Sequence, residues 1–280
     1  MGPLPNLLIV GTAKSGTNSI KSYLEQHPQA GFSCLGEPNF FAWDSEYRKG
    51  LDHYRCLFAG HEDKLVRAEK SWRYSVREVY PLALERILEA LPSFRVLYVV
   101  RNPISRAVSL WTEFRDSGTE FVQRDFETAV FHDRVIFDSF RYHSHYVRFR
   151  DRLPPGRAKL MFFEDLVSNQ ADFFSELCRF LAIDEHGPTD AIHANRSEGQ
   201  TEDYRATEWA RRAGLVDVAR RSMPARGRAR LRRLLRKPIR KPRFSPGARD
   251  RFVELLGTEF ELILREGGKP SDYWDLGILR

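Results

Sequence analysis

Cysteine is scarce in this chain, and long hydrophobic runs are missing from it. The three cysteines, Cys34, Cys56 and Cys178, are too far apart in sequence to form a disulfide framework or a metal-binding signature. We therefore expect reduced thiols and a cytoplasmic protein. No apolar run approaches the ~20 residues that a membrane-spanning helix needs, and the apolar run near residue 7 is too short for a signal peptide. The composition is that of a soluble globular protein.

Acidic residues are almost missing from one segment. Between Arg211 and Arg243 the chain has fourteen arginines and lysines but one acid, Asp217, so this window carries +13 and the rest of the chain −6. Three interpretations stay open for this partly helical segment: a solvated surface or lid, a platform for an anionic acceptor or a membrane surface, and a nucleic-acid site. The third is least favoured, because no base-reading module accompanies the segment and its arginines are not interleaved with aromatic residues.

Short apolar strands alternate with helical segments along the chain. Strands are predicted at 7–10, 65–69, 94–100 and 159–163, and helices at 17–27, 76–90, 103–115, 139–152, 165–181 and 249–265. Residues 28–60 and 183–204 are expected to be mostly irregular. The alternation predicts one α/β domain over 1–280, a P-loop-like three-layer fold with a central, mostly parallel sheet flanked by helices. Ligands bind such sheets beyond the carboxyl ends of the strands.

A Gly- and Ser-rich turn follows the first predicted strand and leads into a helix. Gly11 and Gly16 have the spacing of a Walker A loop, G-x-x-x-x-G-K-[ST], but Thr17 and Asn18 stand at its last two positions and the lysine lies inside the loop, at Lys14. The first turn of a helix attracts anions through its unpaired N–H groups and its dipole. The turn therefore predicts a site for a phosphate-rich donor other than ATP or GTP; the alternative is an ordinary turn with a solvated lysine.

A second candidate anion site follows the strand at 94–100. Arg101 ends this strand, Asn102 and Pro103 are typical of a helix start, and Ser109 lies two turns into the helix. An arginine fork and a serine hydroxyl suit a second phosphate group. By itself, an arginine at a strand end is more often part of a surface ion pair. Because both sites follow strands of one parallel sheet, we expect them to share a crevice.

These two motifs, in this order and spacing, resemble those of the sulfotransferases that use 3′-phosphoadenosine 5′-phosphosulfate (PAPS). In that family the first loop holds the 5′-phosphosulfate and the second motif holds the 3′-phosphate. The resemblance implies that the donor is bound by Lys14, Ser15, Gly16, Thr17, Asn18, Ser19, Arg101 and Ser109. It is strongest with the bacterial and heparan-sulfate-type carbohydrate branches, because of the segments Glu37–Phe41 and Glu69–Ser71.

The same resemblance implies roles in catalysis. An acid at the position of Glu37 acts as general base, and a lysine at the position of Lys70 contacts donor and acceptor. Lys14 is expected to stabilise the leaving nucleotide, 3′,5′-adenosine bisphosphate, and no metal is required. Taken alone, Glu37 would be a solvated loop acid and Lys70 a surface lysine. The cytosolic branch of the family uses a histidine base instead, for which His143 and His145 are the rival candidates.

A late loop usually closes over the nucleotide in this family and carries a basic residue and a glycine. Arg196 and Gly199 fall in the expected region. Glu198 departs from the family pattern, since a basic residue is common just before the glycine, and Arg205 is an alternative source of the charge. The adenine is expected to pack on an aromatic or apolar side chain that the sequence does not identify.

The leading hypothesis is therefore a PAPS-dependent sulfotransferase. Its acceptor would be a hydroxyl, or with less support an amine, of a small natural product, glycan or lipid. One rival is a P-loop kinase-like phosphotransferase, against which the missing Gly-Lys-Ser/Thr ending argues. The other is a non-catalytic nucleic-acid- or membrane-binding protein, for which the basic segment argues. Peripheral attachment to a membrane surface and the oligomeric state stay open.

Overall fold

A five-stranded, all-parallel sheet forms the centre of the protein. The computed structural model describes residues 2–117, 125–187 and 240–277, with the backbone of two short strands at 201–203 and 236–238. The strands of the sheet are β1 (Leu7–Gly11), β2 (Ala30–Phe32), β3 (Val66–Lys70), β4 (Arg95–Val100) and β5 (Ala158–Phe162); β6 (Thr201–Asp203) and β7 (Arg236–Pro238) form a separate antiparallel pair. The strand order in the sheet is β2-β3-β1-β4-β5.

Helices cover both faces of this sheet. They are α1 (Thr17–Gln26), α2 (Asp44–Tyr47), α3 (Gly50–Cys56), α4 (Ala83–Ala90), α5 (Pro103–Ser117), α6 (Phe126–His132), α7 (Arg134–Asp138), α8 (Tyr142–Arg150), α9 (Phe163–Ser168), α10 (Gln170–Leu181) and α11 (Pro246–Glu266), with a 3₁₀ turn at Trp72–Ser75. The predicted three-layer α/β fold is confirmed.

Alternation along the buried strands builds two hydrophobic cores. In β1, Leu8 and Val10 belong to one core, with side chains of α4, α5, α8 and α11. Leu7 and Ile9 point to the opposite face and belong to the other, with side chains of α1 and α10. A strand that is buried on both faces reads as a continuous apolar run, which is why the sequence predicts β1 and β4 to within one residue. The predictions of β3 and β5 are also correct to within one residue, although these strands contain charged residues.

Several local predictions were wrong. The sequence did not predict β2, α2 and α3 within residues 28–60, because these elements are too short to give a clear periodicity. The helix predicted from 76 begins at Ala83, since Pro81 disfavours helical backbone at the preceding residue. The helix predicted at 165–181 is two helices, because Asn169 ends α9 and caps α10 by accepting a hydrogen bond from the Asp172 N–H.

The strand order places three chain segments side by side at the carboxyl edge of the sheet. Central strand β1 pairs with β3 through Ile9 and Lys70, and with β4 through Ile9 and Leu97. A Cβ at Gly11 would lie 2.1 Å from the ring of Tyr98, so only glycine fits where β1 turns into the following loop. The loop after β1, Lys70 and Arg101 therefore meet at one edge. Within the described ranges, no helix combines the length and apolar character needed to cross a bilayer.

Candidate active site

The loop between β1 and α1 has the backbone geometry of an anion cradle. Lys14 and Gly16 have positive φ values of 66° and 81°, which turn the chain sharply into α1. The Thr12 N–H donates to the Val99 carbonyl at 2.6 Å, so the loop is anchored on β4. Helix α1 has neither a side-chain cap at its N-terminus nor an acid in its first turn, which favours an anion there.

Ser15 shapes this loop from within. Its side chain is fully buried, and its hydroxyl lies 2.5 Å from the hydroxyl of Thr12. Thr12 also donates from its hydroxyl to the Val99 carbonyl, at 3.1 Å. Ser15 does not line the pocket described below, in contrast to its neighbours in the loop. The hydrogen bond within the loop gives its hydroxyl a role in holding the turn.

Arg101 joins the second motif to the first. Its Nη1 donates to the Lys14 carbonyl at 3.0 Å, and its guanidinium lies 4.4 Å from the ring centroid of Phe163. Burial lowers the pKa of Arg101 from its ordinary value, and Glu164 acts in the opposite direction. Arginine remains a cation after such a shift. Arg101 and Ser109 both line the pocket, as the sequence predicts.

Arg106 is a structural support of the loop that the sequence analysis did not identify. This side chain is fully buried, and its Nε donates to the Ala13 carbonyl at 2.8 Å. Its Nη1 and Nη2 donate to the carbonyl and hydroxyl of Ser139, at 3.2 and 3.0 Å. The guanidinium also lies 4.4 Å from the ring centroid of Phe140. Arg106 therefore ties the loop before Lys14 to the segment after α7.

Glu37 faces two cations. Its Oε1 accepts a hydrogen bond from Lys70 Nζ at 2.8 Å, and Arg73 Nη1 lies 3.7 Å from its Oε2. Arg73, which the sequence analysis missed, stacks on the rings of Trp72 and Trp43, at 4.8 and 5.2 Å from their centroids. Lys70 is 10% exposed and Glu37 32%, so the lysine is fixed and the carboxylate stays accessible from the pocket.

The loop that carries Glu37 is tied to the segment after β3. The Asn39 N–H donates to the Ser71 hydroxyl at 3.0 Å, and the Phe41 N–H donates to the Tyr74 hydroxyl at 3.4 Å. Asn39 has a φ of 50°, and its side chain donates to the Glu37 carbonyl at 3.0 Å. These bonds and the ion pair hold the predicted base and its lysine as one unit.

Glu69 lies beneath this unit. Successive residues of a strand point to opposite faces, so Glu69 points away from its neighbour Lys70 and is fully buried. Burial raises its pKa to about 7; the adjacent hydroxyls of Tyr74 and Tyr54 favour the charged form, whereas the charge of Glu37 disfavours it. This carboxyl has no direct access to the pocket, because it is not among the residues that line it.

One pocket of about 290 Å³ brings the predicted residues together. The sequence-predicted residues that line it are Lys14, Gly16, Thr17, Asn18, Ser19, Glu37, Lys70, Arg101 and Ser109. Further lining comes from Trp72, Arg73, Leu110, Glu113, Phe114 and Phe163. The aromatic lining residues come from three segments, Trp72 after β3, Phe114 on α5 and Phe163 at the start of α9. One pocket therefore holds both the predicted anion cradle and the predicted base.

Lys14 has a carboxylate partner within the pocket. Its Nζ lies 2.8 Å from Oε2 of Glu113, which is one helical turn after Ser109 on α5. The sequence analysis gave Glu113 no role. An acid four residues after the serine of the motif is an unspecific signal, since most acids on a helix are solvated.

The rival histidine bases lie elsewhere. His145 is buried, with Nε2 3.4 Å from Oδ2 of Asp138. Within the ranges that the structure describes, neither His143 nor His145 lines the pocket. Arg196, Gly199 and most of the basic segment from Arg211 to Arg243 lie outside the described residues, so their predicted roles stay predictions.

Residues 4–213 match the family model of the sulfotransferase domain. The protein belongs to the sulfotransferase domain family. Among curated relatives of this sulfotransferase-family chain, heparan sulfate glucosamine 3-O-sulfotransferase 3A1 of Mus musculus is 28% identical over 206 residues, which are 70% of this chain and 50% of the relative. Heparan sulfate glucosamine 3-O-sulfotransferase 6 of Homo sapiens is 39% identical over 106 residues, 38% of this chain and 29% of the relative.

The chain spans half or less of the length of these curated relatives. Solved structures agree with the fold of this sulfotransferase-family member over a longer range. A sulfotransferase from Alicyclobacillus acidocaldarius superposes with a TM-score of 0.66 at 19% identity, covering 96% of this chain and 97% of the other. The sulfotransferase domain from the curacin biosynthetic pathway gives a TM-score of 0.51 at 16% identity, covering 70% and 80%. These two structural matches support the α/β fold of this chain.

Proposed function

We propose that this protein transfers the sulfuryl group of PAPS to an acceptor hydroxyl. The observation that carries the proposal is the pocket in which the α1 cradle and Arg101 face the Glu37–Lys70 pair. The α1 cradle, with Lys14 inside its loop, and the second cationic site at Arg101 suit a donor that carries two separate anionic groups. A carboxylate in the same pocket suits removal of a proton from the acceptor.

The charges of the pocket fit such a donor. Four cations line it, Lys14, Lys70, Arg73 and Arg101, against the carboxylates of Glu37 and Glu113. The excess of positive charge favours a nucleotide that carries a phosphosulfate and a second phosphate. The first turn of α1 with Lys14 would hold the phosphosulfate, and Arg101 with Ser109 would hold the 3′-phosphate. No metal ion has a part in this scheme.

The reaction is an in-line displacement at sulfur. Glu37 takes the proton of the acceptor hydroxyl, the acceptor oxygen bonds to sulfur, and the bond from sulfur to the bridging phosphate oxygen breaks. Lys14 stabilises the charge that forms on the 5′-phosphate of the leaving 3′,5′-adenosine bisphosphate, and Lys70 orients Glu37 and the sulfuryl oxygens. A positioned general base typically contributes about 10²–10⁴ in rate.

The acceptor is proposed to be an alcohol of a glycan, a small natural product or a lipid. The curated relatives are named as 3-O-sulfotransferases of heparan sulfate glucosamine, which favours a hydroxyl over an amine. Trp72 and Phe114, whose ring centroids are 6.5 Å apart, form an aromatic wall of the pocket. Rings of this kind stack on the flat faces of sugars or aromatic groups, so this wall would orient the acceptor.

A thermal-shift experiment tests the donor half of the proposal. We expect 3′,5′-adenosine bisphosphate to raise the melting temperature without magnesium, because a ligand that binds the folded state stabilises it. The variant Arg101→Met should lose this shift, and Arg77→Met, an exposed arginine outside the pocket, should keep it. Stabilisation by Mg-ATP alone would favour a kinase-like phosphotransferase. A response to neither nucleotide, with salt-sensitive DNA or vesicle binding, would favour a non-catalytic binding protein.

A second experiment tests the chemistry. PAPS labelled in its sulfuryl group is incubated with the protein and with phenols, hydroxylated lipids and desulfated glycans in turn. Transfer of label to any hydroxyl that is lost in Glu37→Gln would support the assignment of the base. Full transfer by the Glu37→Gln variant would exclude it.

A further inference from the structure

Glu113 forms an ion pair with Lys14, the side chain that stabilises the leaving group in the proposed reaction. The Lys14 ammonium lies 2.8 Å from the Glu113 carboxylate, and both side chains line the donor side of the pocket. Helix α5 presents Glu113 one turn beyond Ser109, so the same helix offers the donor a hydroxyl and Lys14 a counter-ion. The anionic donor and Glu113 therefore compete for one cation.

The backbone around Lys14 is fixed, so this competition concerns the side chain alone. The Lys14 carbonyl accepts a hydrogen bond from Arg101 at 3.0 Å, and its φ of 66° belongs to the tight turn of the loop. The Lys14 side chain is 19% exposed and that of Glu113 47%. If the pair separates, the Glu113 carboxylate can therefore move into water at little cost, while the Lys14 ammonium stays inside the pocket.

We propose that Glu113 is a positioning residue that holds Lys14 Nζ while the donor is away and yields it to the donor's phosphosulfate on binding. When 3′,5′-adenosine bisphosphate leaves, Glu113 takes the ammonium back, which favours product release. This inference rests on the proposed function, because it needs an anionic nucleotide in the α1 cradle. In this role Glu113 weakens nucleotide binding, because it competes with the nucleotide for the Lys14 ammonium.

Calorimetric titration with 3′,5′-adenosine bisphosphate tests the proposal and needs no acceptor. Four proteins are compared: the wild type, Glu113→Gln, Lys14→Met and the double variant. Glu113→Gln should bind the nucleotide about two- to fivefold more tightly, the range expected for loss of a half-exposed competing ion pair. In the Lys14→Met background, the same Glu113→Gln change should alter the affinity less than twofold. Glu46→Gln, which removes a surface partner of Lys49, is the matched control and should leave the affinity unchanged.

The double-variant comparison separates this role from simple repulsion between Glu113 and an anion. Equal tightening in the presence and absence of Lys14 would mean repulsion alone and would overturn the proposal. Unchanged or weaker binding by Glu113→Gln would also overturn it. Failure of the proposed function looks different, since the wild type itself would then not bind the nucleotide.

Discussion

Replacing Arg106 by methionine should destabilise the protein and weaken nucleotide binding at the same time. The substitution keeps the length of the side chain but removes its three hydrogen bonds, to the Ala13 carbonyl and to the carbonyl and hydroxyl of Ser139. Ser139 is buried, so water does not replace the two bonds to this residue, whereas the bond to the Ala13 carbonyl is partly buried. The Ala13 carbonyl immediately precedes Lys14, so the loop loses a contact that fixes its position.

The size of the effect follows from the partners that are left behind. The Ser139 hydroxyl retains its hydrogen bond to the Ile136 carbonyl at 2.7 Å, so two carbonyls lose their partner, the buried one of Ser139 and the partly buried one of Ala13. An unsatisfied buried polar group costs about 1–3 kcal/mol, and removing a buried charge recovers part of that cost. We expect Arg106→Met to lower the free energy of unfolding by about 2–4 kcal/mol. Arg106→Lys, which keeps the charge and one donor position, should lose less.

Urea unfolding at pH 7 measures the stability, and calorimetry with 3′,5′-adenosine bisphosphate measures the affinity. Arg77→Met, a substitution at an exposed arginine outside the pocket, should change the stability by less than about 0.5 kcal/mol. If Arg106→Met had the same free energy of unfolding as the wild type, the three hydrogen bonds would make no net contribution to stability. Lower stability with unchanged affinity would refute the role of Arg106 in positioning the loop.

Three further predictions concern the loop, the base and the buried acid. Gly16→Ala should cost about 1–3 kcal/mol and weaken the nucleotide affinity measured by calorimetry, because φ is 81° and the new Cβ would lie 2.7 Å from Leu166; wild-type values would contradict this. Glu37→Gln should reduce label transfer from PAPS by about 10²–10⁴ while the nucleotide affinity stays within twofold, and a large loss of affinity would argue for a donor contact instead. Burial raises the pKa of Glu69 from 4.5 to about 7, so between these values the folded state holds a proton that the unfolded state releases. Wild-type stability in urea should therefore fall by roughly 3 kcal/mol as the pH rises through this range, and equal slopes in Glu69→Gln and the wild type would rule this out.

The sequence predicts the location of those site residues whose position depends on the backbone alone. Lys14 and Arg101 directly follow buried strands, and a parallel sheet brings the ends of such strands to one edge whatever the side chains do. Glu37 and Lys70 entered through the resemblance of their segments to a known family, and the structure places them 2.8 Å apart. The fold followed from the alternation of short strands with helical segments.

The residues that the sequence could not place are those whose direction depends on packing. Arg73 and Glu113 look like surface residues in sequence, and so does Arg106, a single arginine in the first turns of a helical segment. Arg73 lines the pocket because Trp43 and Trp72 hold its guanidinium, and Trp43 comes from a distant segment. Such contacts form only when the whole chain has folded, so local patterns carry little information about them.

The position of β1 at the centre of the sheet has a consequence for folding. Its partners β3 and β4 begin about sixty and ninety residues later in the chain. Both edges of β1 are therefore paired only after these two distant segments have joined the sheet. The cradle follows the end of β1, Lys70 is the last residue of β3, and Arg101 directly follows β4. A partly folded chain therefore has no nucleotide pocket, and binding of 3′,5′-adenosine bisphosphate would serve as a probe for the moment at which the sheet closes around its first strand.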